Sequence, residues 1–260
     1  MKINKIYCDD ILNFLKKIPK KSIDLCIADP PYNIKISKWD VFNSEKEYFN
    51  FMKKWIKLLL PRMKDTGSIY IFNNQYNSAM LLSTLINKGW KLNNWITWFK
   101  KDGFHPTKTK YISNQETITF FSKKDQKHTF NFNNIRIPYL STKRFDSAKK
   151  SGLIGKNGKS WFPNPNGKLC PDVWEFSSDR HNNKKNGKIQ KCIHPTPKPE
   201  KMIERIILAS SNENDLVLDL FSGTGTTSYV AKKYNRNYIG CDNNEKYVNY
   251  SIERLETLCE

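Results

Sequence analysis

Two short motifs contain the residue types in this 260-residue chain that could carry out chemistry. The first is Asp29-Pro30-Pro31-Tyr32, in which a carboxylate, two conformationally restricted residues and an aromatic ring follow one another. The second runs from Asp219 to Thr227 and reads Asp-Leu-Phe-Ser-Gly-Thr-Gly-Thr-Thr. The first motif is suited to holding an exocyclic amino group, and the second to a turn that binds a nucleoside cofactor. In this order, with the two aspartates 190 positions apart, they suggest transfer of a methyl group onto a base.

Each residue of the first motif has a chemical use. The amino nitrogen of adenine or cytosine is a poor nucleophile because its lone pair is delocalised into the ring. If Asp29 and a main-chain carbonyl such as that of Pro30 accept its two N–H bonds, the lone pair can point at an incoming methyl group. The prolines restrict φ and hold that carbonyl in place, and Tyr32 offers a flat face to an extruded base. A rigid turn with an N-capping aspartate is the structural alternative for this motif taken alone.

The second motif is predicted to lie between a strand at 216–220 and a helix that begins at Thr226. Gly223 and Gly225 let the backbone approach a ligand closely, and the helix N-terminus adds a favourable dipole. Asp242 comes 19 residues after Gly223, where a carboxylate can accept hydrogen bonds from a ribose diol. A dinucleotide-binding fingerprint would have a third glycine where this chain has Ser228, and no P-loop lysine follows the glycines. A glycine-capped turn without a ligand is the structural alternative.

The elements that must position these motifs alternate between strand and helix. Strands are predicted at 3–8, 23–28, 68–72, 90–99, 116–121, 216–220 and 238–241, and helices at 11–18, 45–60, 78–87, 200–210, 226–234 and 245–258. This alternation predicts an α/β fold with a doubly wound, mostly parallel, Rossmann-like sheet and helices on both faces. The strands at 90–99 and 116–121 follow each other without a clear helix, which predicts an antiparallel edge strand.

The segment 122–193 interrupts the alternation with a basic, loop-rich composition. From Lys123 to Ile193 there are 16 Lys and Arg against 5 Asp and Glu, a net charge of +11 within the +19 of the whole chain. Eight aromatic residues between 130 and 176 are too many for a disordered linker. We therefore predict three parts, which are a catalytic half at 1–121, an inserted recognition region at 122–193 and a cofactor half at 194–260. A positive charge of this size favours a polyanionic partner such as nucleic acid, although an AT-rich genome would also encode many lysines.

Cysteine spacing and hydropathy argue against a disulfide framework, a metal site and a membrane span. The six cysteines show no C-x-x-C pair, so neither a disulfide framework nor a metal site is indicated. Cys192 and His194 are two apart but have no second pair of ligands. No apolar run approaches the roughly 18 residues that a membrane span needs, and the first residues do not begin a signal peptide. We expect a cytoplasmic protein without membrane contact.

In these motifs and in their order, the chain resembles the bacterial amino-methyltransferases that modify DNA with S-adenosylmethionine. It is similar to their permuted β class, in which the catalytic motif precedes the cofactor motif, and the resemblance covers nearly all of the chain outside the basic segment. It implies a Rossmann-like methyltransferase fold, catalytic roles for Asp29, Pro30, Pro31 and Tyr32, and S-adenosylmethionine as the cofactor. In this family a motif that begins with Asp acts on adenine N6 more often than on cytosine N4, for which Ser usually stands first.

The resemblance also implies the residues of the cofactor site. Asp10 is similar to the acidic residue beside the cofactor adenine, and Asp242 to the residue on its ribose. Thr196 and Lys198, in the segment from His194 to Pro199, would lie near the methionine carboxylate; Pro197 stands where the family usually has Gln. Phe221 resembles the aromatic residue that packs along the cofactor. The other implied cofactor residues are His194, Asp219, Ser222, Gly223, Thr224, Gly225 and Thr226.

The resemblance further implies a double-stranded DNA substrate, read by the basic segment. Lysine contacts to phosphates would supply much of the affinity, and Arg136, Arg144 and Arg180 are the predicted contacts to guanine. Single lysines on a solvated face are the structural alternative. The family's members that accompany type IIS restriction enzymes imply a cognate restriction endonuclease as a partner in a restriction-modification system, and the family also suggests a homodimer.

Four alternative functions remain open at this point. One is the same chemistry on cytosine N4, and another is its use on RNA or on a protein glutamine, where a related motif with Asn first is common. A third is a noncatalytic DNA-binding protein that senses the cofactor. The last is a nicotinamide oxidoreductase, which would make no use of Asp29 or Tyr32.

Overall fold

The computed structural model describes residues 1–100, 107–154, 158–177, 183–185, 188–190 and 193–258. In chain order its strands are β1 (Lys5–Cys8), β2 (Ile23–Ala28), β3 (Met63–Asn73), β4 (Trp90–Phe99), β5 (Gln115–Lys123), β6 (Leu153–Ile154), β7 (Ser160–Trp161), β8 (Val173–Glu175), β9 (Asn183–Lys185), β10 (Lys188–Gln190), β11 (Leu216–Asp219) and β12 (Asn237–Asp242). Its helices are α1 (Ile11–Lys17), α2 (Glu45–Leu59), α3 (Gln75–Ile86), α4 (Thr142–Ser151), α5 (Glu200–Ser210), α6 (Thr226–Lys233) and α7 (Glu245–Glu256). Short 3₁₀ turns lie at Lys38–Asp40, Leu60–Arg62 and Phe132–Ile135.

Eight strands form one sheet in the order β1-β12-β11-β2-β3-β5-β4-β8. The pairs from β1 to β3 are all parallel, as is the pair of β4 with β8. This confirms the predicted α/β class and the mostly parallel sheet. The C-terminal strand β12 lies between β1 and β11, so the two ends of the chain meet in the same half of the sheet.

One detail of the predicted sheet needs correction, namely the position of the antiparallel strand. That strand is β5, which is antiparallel to both β3 and β4 and therefore lies inside the sheet. The edge beyond β4 is occupied by β8, a short strand from the basic segment that pairs in parallel through Thr97 to Val173. Sequence periodicity could not reveal this because β8 has only three residues.

Helices cover both faces of the sheet, which explains why the strands are apolar on both sides. On one face α1, α2 and α3 bury Phe14, Trp55 and Leu85 against the sheet. On the other face α5, α6 and α7 bury Ile206, Val230 and other apolar side chains. Successive residues of a strand point to opposite faces, so the central strands contribute to both clusters and bring their carboxyl ends to one rigid edge.

The described part of the basic segment is folded against this core. It contains α4 and the hairpin of β6 and β7, neither of which the sequence analysis predicted. The guanidinium of Arg205 on α5 lies 5.1 Å from the ring of Trp174 and 4.7 Å from that of Phe176, which holds β8 beside α5. A disordered linker is therefore excluded for these residues. The three predicted parts remain a prediction, and β5 continues two residues past the proposed boundary at 121.

None of the helices in the described part of the chain is long and apolar enough to cross a membrane.

Candidate active site

The carboxyl ends of β1, β2, β11 and β12 open onto one cavity of about 400 Å³. This volume lies within the roughly 300–1,000 Å³ of pockets that hold small organic ligands. Both sequence motifs line it, with Asp29 and Tyr32 at one part and Ser222, Gly223 and Asp242 at another. The parallel sheet thus brings together residues that are far apart in the sequence, at the edge where open α/β sheets bind ligands.

The loop after the first motif is held by a buried carboxylate, that of Asp40. Its Oδ1 accepts the backbone N–H of Tyr32 at 2.6 Å and of Asn33 at 2.7 Å. Its Oδ2 accepts from the backbone of Ile34 at 3.0 Å and of Ile36 at 3.3 Å. Asp40 has no exposed surface, so these N–H groups supply hydrogen bonds that water cannot. The Asp40 carboxylate therefore fixes the path of the chain immediately after the Asp-Pro-Pro-Tyr motif.

A second anchor holds the same loop from helix α3. The side-chain amide of Asn77 donates to the carbonyl of Tyr32 at 2.8 Å, and it also donates to Asn73 Oδ1 at 2.8 Å. Asn73 in turn donates to the hydroxyl of Tyr48 at 2.9 Å. The backbone of Tyr32 is thus fixed on both its N–H and its C=O side.

The side chains around Asp29 form a compact polar cluster. The Tyr32 hydroxyl lies 3.0 Å from Asp29 Oδ1 and 3.0 Å from Glu116 Oε2. Lys198 Nζ lies 2.6 Å from Asp29 Oδ2 and 3.7 Å from Glu116 Oε2. Lys100 donates to the other oxygen of Glu116. Two carboxylates, two ammonium groups and one phenol therefore share one small volume, which we call the Asp29 cluster.

The protonation states in the Asp29 cluster follow from burial and from these neighbours. Burial raises the pKa of Tyr32 well above its usual value, and the carboxylates of Asp29 and Glu116 raise it further, so the phenol keeps its proton. Burial favours a neutral Glu116, but the ammonium groups of Lys198 and Lys100 outweigh it and lower the pKa of this carboxyl. Burial also opposes the charge on Lys198, yet Asp29 and Glu116 raise the pKa of its ammonium group. The neighbours of Glu116 and Lys198 thus favour their charged forms, and the surroundings of Tyr32 favour its neutral form.

The glycine turn is built around positive φ angles at Gly223 (49°) and Gly225 (69°). A Cβ at 225 would lie 2.7 Å from Ser251 Cβ, so the turn lies too close to α7 for a residue with a side chain at this position. Ser251 Oγ donates to the carbonyl of Gly223 at 2.9 Å. The guanidinium of Arg254 donates to the carbonyl of Thr224 at 3.1 Å and to Glu200 at 2.5 Å. Helix α7 therefore holds the shape of the turn from behind.

Two acidic residues flank this turn in the cavity. Asp242 accepts the backbone N–H of Gly223 on Oδ2 at 2.8 Å and of Asn244 on Oδ1 at 2.9 Å, and burial raises its pKa. Asp219 is buried, and this burial raises its pKa to about 7; a hydrogen bond from Thr227 opposes the shift, and the charges of Asp29 and Asp242 add to it. A cationic ligand would relieve this concentration of negative charge.

Aromatic rings form one wall near the glycine turn. The imidazole of His194 stacks on Trp39 with ring centroids 5.5 Å apart, and it meets Tyr247 edge-on at 5.0 Å. Its Nδ1 accepts the backbone N–H of Thr196 at 3.2 Å, and burial lowers its pKa. Phe221 packs edge-on against Trp55 at 5.6 Å. The segment that begins at His194 thus bridges the loop that contains Trp39 and helix α7.

Nearly all of the residues that the sequence analysis proposed for catalysis and cofactor binding line the cavity. They are Asp10, Asp29, Pro30, Pro31, Tyr32, His194, Thr196, Lys198, Asp219, Phe221, Ser222, Gly223, Thr224, Thr226 and Asp242. Gly225 lies behind the lining and shapes the turn. Asp10 also caps α1, because its Oδ1 accepts from the backbone of Leu12 and Asn13. The ammonium group of Lys198, expected near a methionine carboxylate, lies against Asp29.

Sequence reasoning missed Glu116, Lys100 and Asp40. Glu116 and Asp40 line the cavity, and Lys100 is ion-paired to Glu116. Glu116 was assigned to a strand and given no chemical role because no motif surrounds it. A charged residue directly before the run Thr-Ile-Thr-Phe-Phe of a strand was the available signal.

The structure describes the three arginines proposed to contact bases to different extents. Arg136 donates to Asn133 Oδ1 at 2.9 Å and to the carbonyl of Gly167 at 2.8 Å, so part of its guanidinium supports the fold of the basic segment. Arg144 lies on α4, and its side chain lies outside the described structure. Arg180 and Cys192 lie outside the described residues. Base contacts by these arginines remain a prediction.

The fold is that of the Rossmann-like methyltransferases, and comparison with solved structures supports this. The chain aligns with the PvuII DNA methyltransferase (cytosine-N4-specific) with a TM-score of 0.71 and 21% identity, over 96% of this chain and 85% of that one. It aligns with M1.HpyAVI in complex with S-adenosylmethionine with a TM-score of 0.63 and 24% identity, over 96% and 98% of the two chains.

Sequence comparisons give the family. Residues 23–253 match the family model described as DNA methylase, of the N6/N4 type. The chain is 51% identical to the type II methyltransferase M1.MboII of Moraxella bovis, over 98% of this chain and 99% of that protein. It is 35% identical to the type II methyltransferase M.HpaI of Haemophilus parainfluenzae, over 97% and 74% of the two proteins. The chain belongs to the N6/N4 DNA methylase family, whose enzymes use S-adenosylmethionine to methylate DNA.

Proposed function

We propose that this enzyme methylates the N6 amino group of adenine within a specific double-stranded DNA sequence, as the modification enzyme of a restriction-modification system. The observation that carries the proposal is the position of Asp29, which begins an Asp-Pro-Pro-Tyr motif and lies in the same cavity as the glycine turn. Its carboxylate is an acceptor for an amino N–H, and the loop behind it is fixed by Asp40 and Asn77. The proposal therefore rests on a preorganised acceptor beside a nucleoside-sized cavity.

The residues of the first motif would hold and activate the amino group. Asp29 accepts one N–H, and a main-chain carbonyl such as that of Pro30 accepts the other, which directs the nitrogen lone pair into the cavity. Tyr32 supports the face of a base that has been rotated out of the duplex. After methylation the nitrogen carries an extra proton and is strongly acidic, so Asp29 or water can take that proton without a strong general base.

The second motif and its neighbours fit S-adenosylmethionine. Asp242 lies where a ribose diol can be bound, and the backbone of the turn between Ser222 and Gly225 can approach a ligand closely. The acidic lining, including buried Asp219, suits a ligand that carries positive charge. When bound, this cofactor supplies the methyl group in an electrophilic sulfonium form.

Duplex DNA is the substrate that the charge distribution favours. The segment 123–193 carries a net charge of +11, and its described residues pack beside the sheet through β8. Lysines there would contact phosphates and a few side chains would read bases. A cognate restriction endonuclease and a homodimer are further parts of the proposal, supported by the resemblance to type II methyltransferases.

A methyl-transfer assay tests the proposal. The purified protein is incubated with labelled S-adenosylmethionine and mixed-sequence duplex DNA, and the nucleosides are then separated. We expect label in N6-methyladenine; label found in N4-methylcytosine instead would show that the enzyme belongs to the cytosine branch. Single-stranded RNA serves as the competing substrate.

A variant of the catalytic aspartate completes the test. Asp29→Ala should lower turnover by at least about 100-fold, the lower end of what a positioned acid–base group contributes, while S-adenosylhomocysteine still binds. Asp24→Asn is the matched control because Asp24 lies on the same strand but is paired with Lys64, at 2.8 Å, away from the cavity. Full activity of Asp29→Ala would remove this residue from the mechanism.

A further inference from the structure

The Tyr32 hydroxyl is equidistant from two carboxylates, and this geometry has a consequence for catalysis. A phenol has one proton to donate, yet Asp29 Oδ1 and Glu116 Oε2 both lie 3.0 Å from its oxygen. The hydroxyl can therefore donate to one carboxylate at a time. Rotation about the C–O bond exchanges the two arrangements without moving the ring.

The oxygens of Asp29 are both engaged in the structure as it stands. Oδ1 faces the Tyr32 hydroxyl and Oδ2 lies 2.6 Å from Lys198 Nζ. An amino group that approaches Asp29 must compete with these donors for the carboxylate. The competition is relieved if a second acceptor takes the phenol proton.

Glu116 is placed to be that acceptor. It lies on β5, opposite Trp98 of β4, and its carboxylate is only 15% exposed. Lys100 and Lys198 keep it charged in spite of its burial, which makes it a strong acceptor. A buried glutamate is costly to desolvate and adds no apolar packing to the sheet, so its presence calls for a functional reason.

We propose that Glu116 is a positioning residue that accepts the Tyr32 hydroxyl when the target amino group occupies Asp29. In this arrangement Asp29 Oδ1 is released to accept an N–H of the base, while the Tyr32 ring stays where the base stacks. Lys198 lies between the two carboxylates, 2.6 Å from one and 3.7 Å from the other, and stabilises the pair in either arrangement. The inference rests on the proposed function, since it assigns Glu116 to the same amino-group chemistry.

The first experiment compares Glu116→Ala and Glu116→Gln with the wild type. Both variants should bind S-adenosylhomocysteine as tightly as the wild type, because Glu116 acts on the amino group and not on the cofactor. Turnover should fall roughly tenfold in Glu116→Ala, the size expected for the coupling of directly contacting residues, and less in Glu116→Gln, whose amide oxygen can still accept the phenol proton. Glu116→Gln also keeps the test available if Glu116→Ala does not fold.

The second experiment is a double-mutant cycle with Tyr32→Phe, which removes the hydroxyl and leaves the ring. If Glu116 acts through the hydroxyl, Glu116→Ala should cost at most about twofold in the Tyr32→Phe background. The same tenfold loss in both backgrounds would overturn the inference, and so would full activity of Glu116→Ala. Because these ratios are defined only for an active enzyme, absence of methyl transfer by the wild type would instead refute the proposed function.

Asp65→Ala is the matched control for the loss of a carboxylate that is paired with two lysines. The carboxylate of Asp65 lies 3.0 Å from Nζ of Lys21 and 2.5 Å from Nζ of Lys123. Lys123 is the last residue of β5, and Glu116 is the second. Asp65 and its two lysines lie outside the cavity, so Asp65→Ala should leave turnover unchanged in the wild-type and in the Tyr32→Phe background. A comparable loss of turnover in Asp65→Ala would attribute the effect of Glu116 to general charge and would contradict the inference.

Discussion

The ammonium group of Lys198 lies 2.6 Å from the carboxylate of Asp29, although 169 positions separate the two residues in the sequence. Lys198 is 9% exposed and Asp29 23% exposed, so water screens their attraction only in part. The pair joins the segment before α5 to the loop after β2.

Removal of this ammonium group should change the pH dependence of catalysis. In Lys198→Met, Glu116 loses the ammonium group that contributes most to its lowered pKa, so this carboxyl becomes easier to protonate. We expect kcat/KM to fall by roughly 100-fold and the acidic limb of its pH profile to move to higher pH. The profile is measured with duplex DNA at saturating cofactor. An unchanged acidic limb in an active Lys198→Met enzyme would show that Lys198 does not control the protonation of Glu116 during turnover.

A second prediction concerns the Asp40 carboxylate, which keeps the loop after the Asp-Pro-Pro-Tyr motif ordered. In Asp40→Ala four backbone N–H groups lose their acceptor, and a buried donor left without a partner costs about 1–3 kcal/mol of stability. We expect a lower free energy of unfolding in urea and slower turnover, because the backbone of Tyr32 is no longer fixed. Asp40→Asn keeps one acceptor oxygen and should lie between the wild type and Asp40→Ala in both measurements. Equal stability of all three proteins would contradict this role.

The outcome for the central sheet shows what sequence pattern can predict. The strands 23–28 and 90–99 were predicted with their observed bounds, because both are rich in apolar residues and are followed by turn signals. The antiparallel strand was expected at an edge, whereas β8 covers that edge. A three-residue strand carries too little periodicity for such a prediction, and its pairing depends on tertiary contacts such as those of Arg205.

In the candidate site, too, local sequence patterns could be predicted and long-range contacts could not. Asp29, Tyr32 and Asp242 could be proposed because they lie in local motifs at strand ends. Glu116 and Asp40 could not, because their roles depend on distances to residues in other elements. The contact of Lys198 with Asp29 could not be predicted either, because the sequence shows which segment enters the cavity but not which way a flexible side chain turns. A role of Lys198 at the cofactor stays a prediction.

A third prediction concerns the glycine turn, where a side chain at Gly225 would cause both backbone strain and a steric clash. Gly225→Ala would place a methyl group 2.7 Å from Ser251 Cβ at a φ of 69°. Gly89 has a similar φ of 80°, and a methyl group added there would meet no atom within 4 Å, so Gly89→Ala isolates the strain. We expect Gly89→Ala to lose about 1–2 kcal/mol of stability and Gly225→Ala to lose more. Thermal unfolding with and without S-adenosylhomocysteine measures both.

The same pair of variants separates folding from cofactor binding. Gly225→Ala distorts the turn beside the cavity, so it should also lose the thermal stabilisation that S-adenosylhomocysteine gives the wild type. Gly89→Ala should keep that stabilisation, because Gly89 lies before β4 and away from the cavity lining. Full stabilisation of Gly225→Ala by the ligand would mean that the turn does not contact the cofactor.

Asp219 predicts a dependence of stability and cofactor affinity on pH. Burial raises its pKa to about 7 from an ordinary value of 3.8, so the folded protein binds a proton there that the unfolded chain has already released. Between these two pH values the folded state therefore loses stability as pH rises. Asp219→Asn lacks the titrating group, and its free energy of unfolding should increase relative to that of the wild type over this interval.

The sign is opposite for the binding of a positively charged cofactor. Such a ligand favours the ionised form of Asp219, so the wild-type affinity for S-adenosylmethionine should rise with pH up to about 7, and binding below that pH should release a proton from Asp219. Calorimetric titration in two buffers with different heats of ionisation counts the released protons. Asp219→Asn should release fewer protons than the wild type at the same pH. Equal proton release by both proteins would show that Asp219 is already ionised before the cofactor binds.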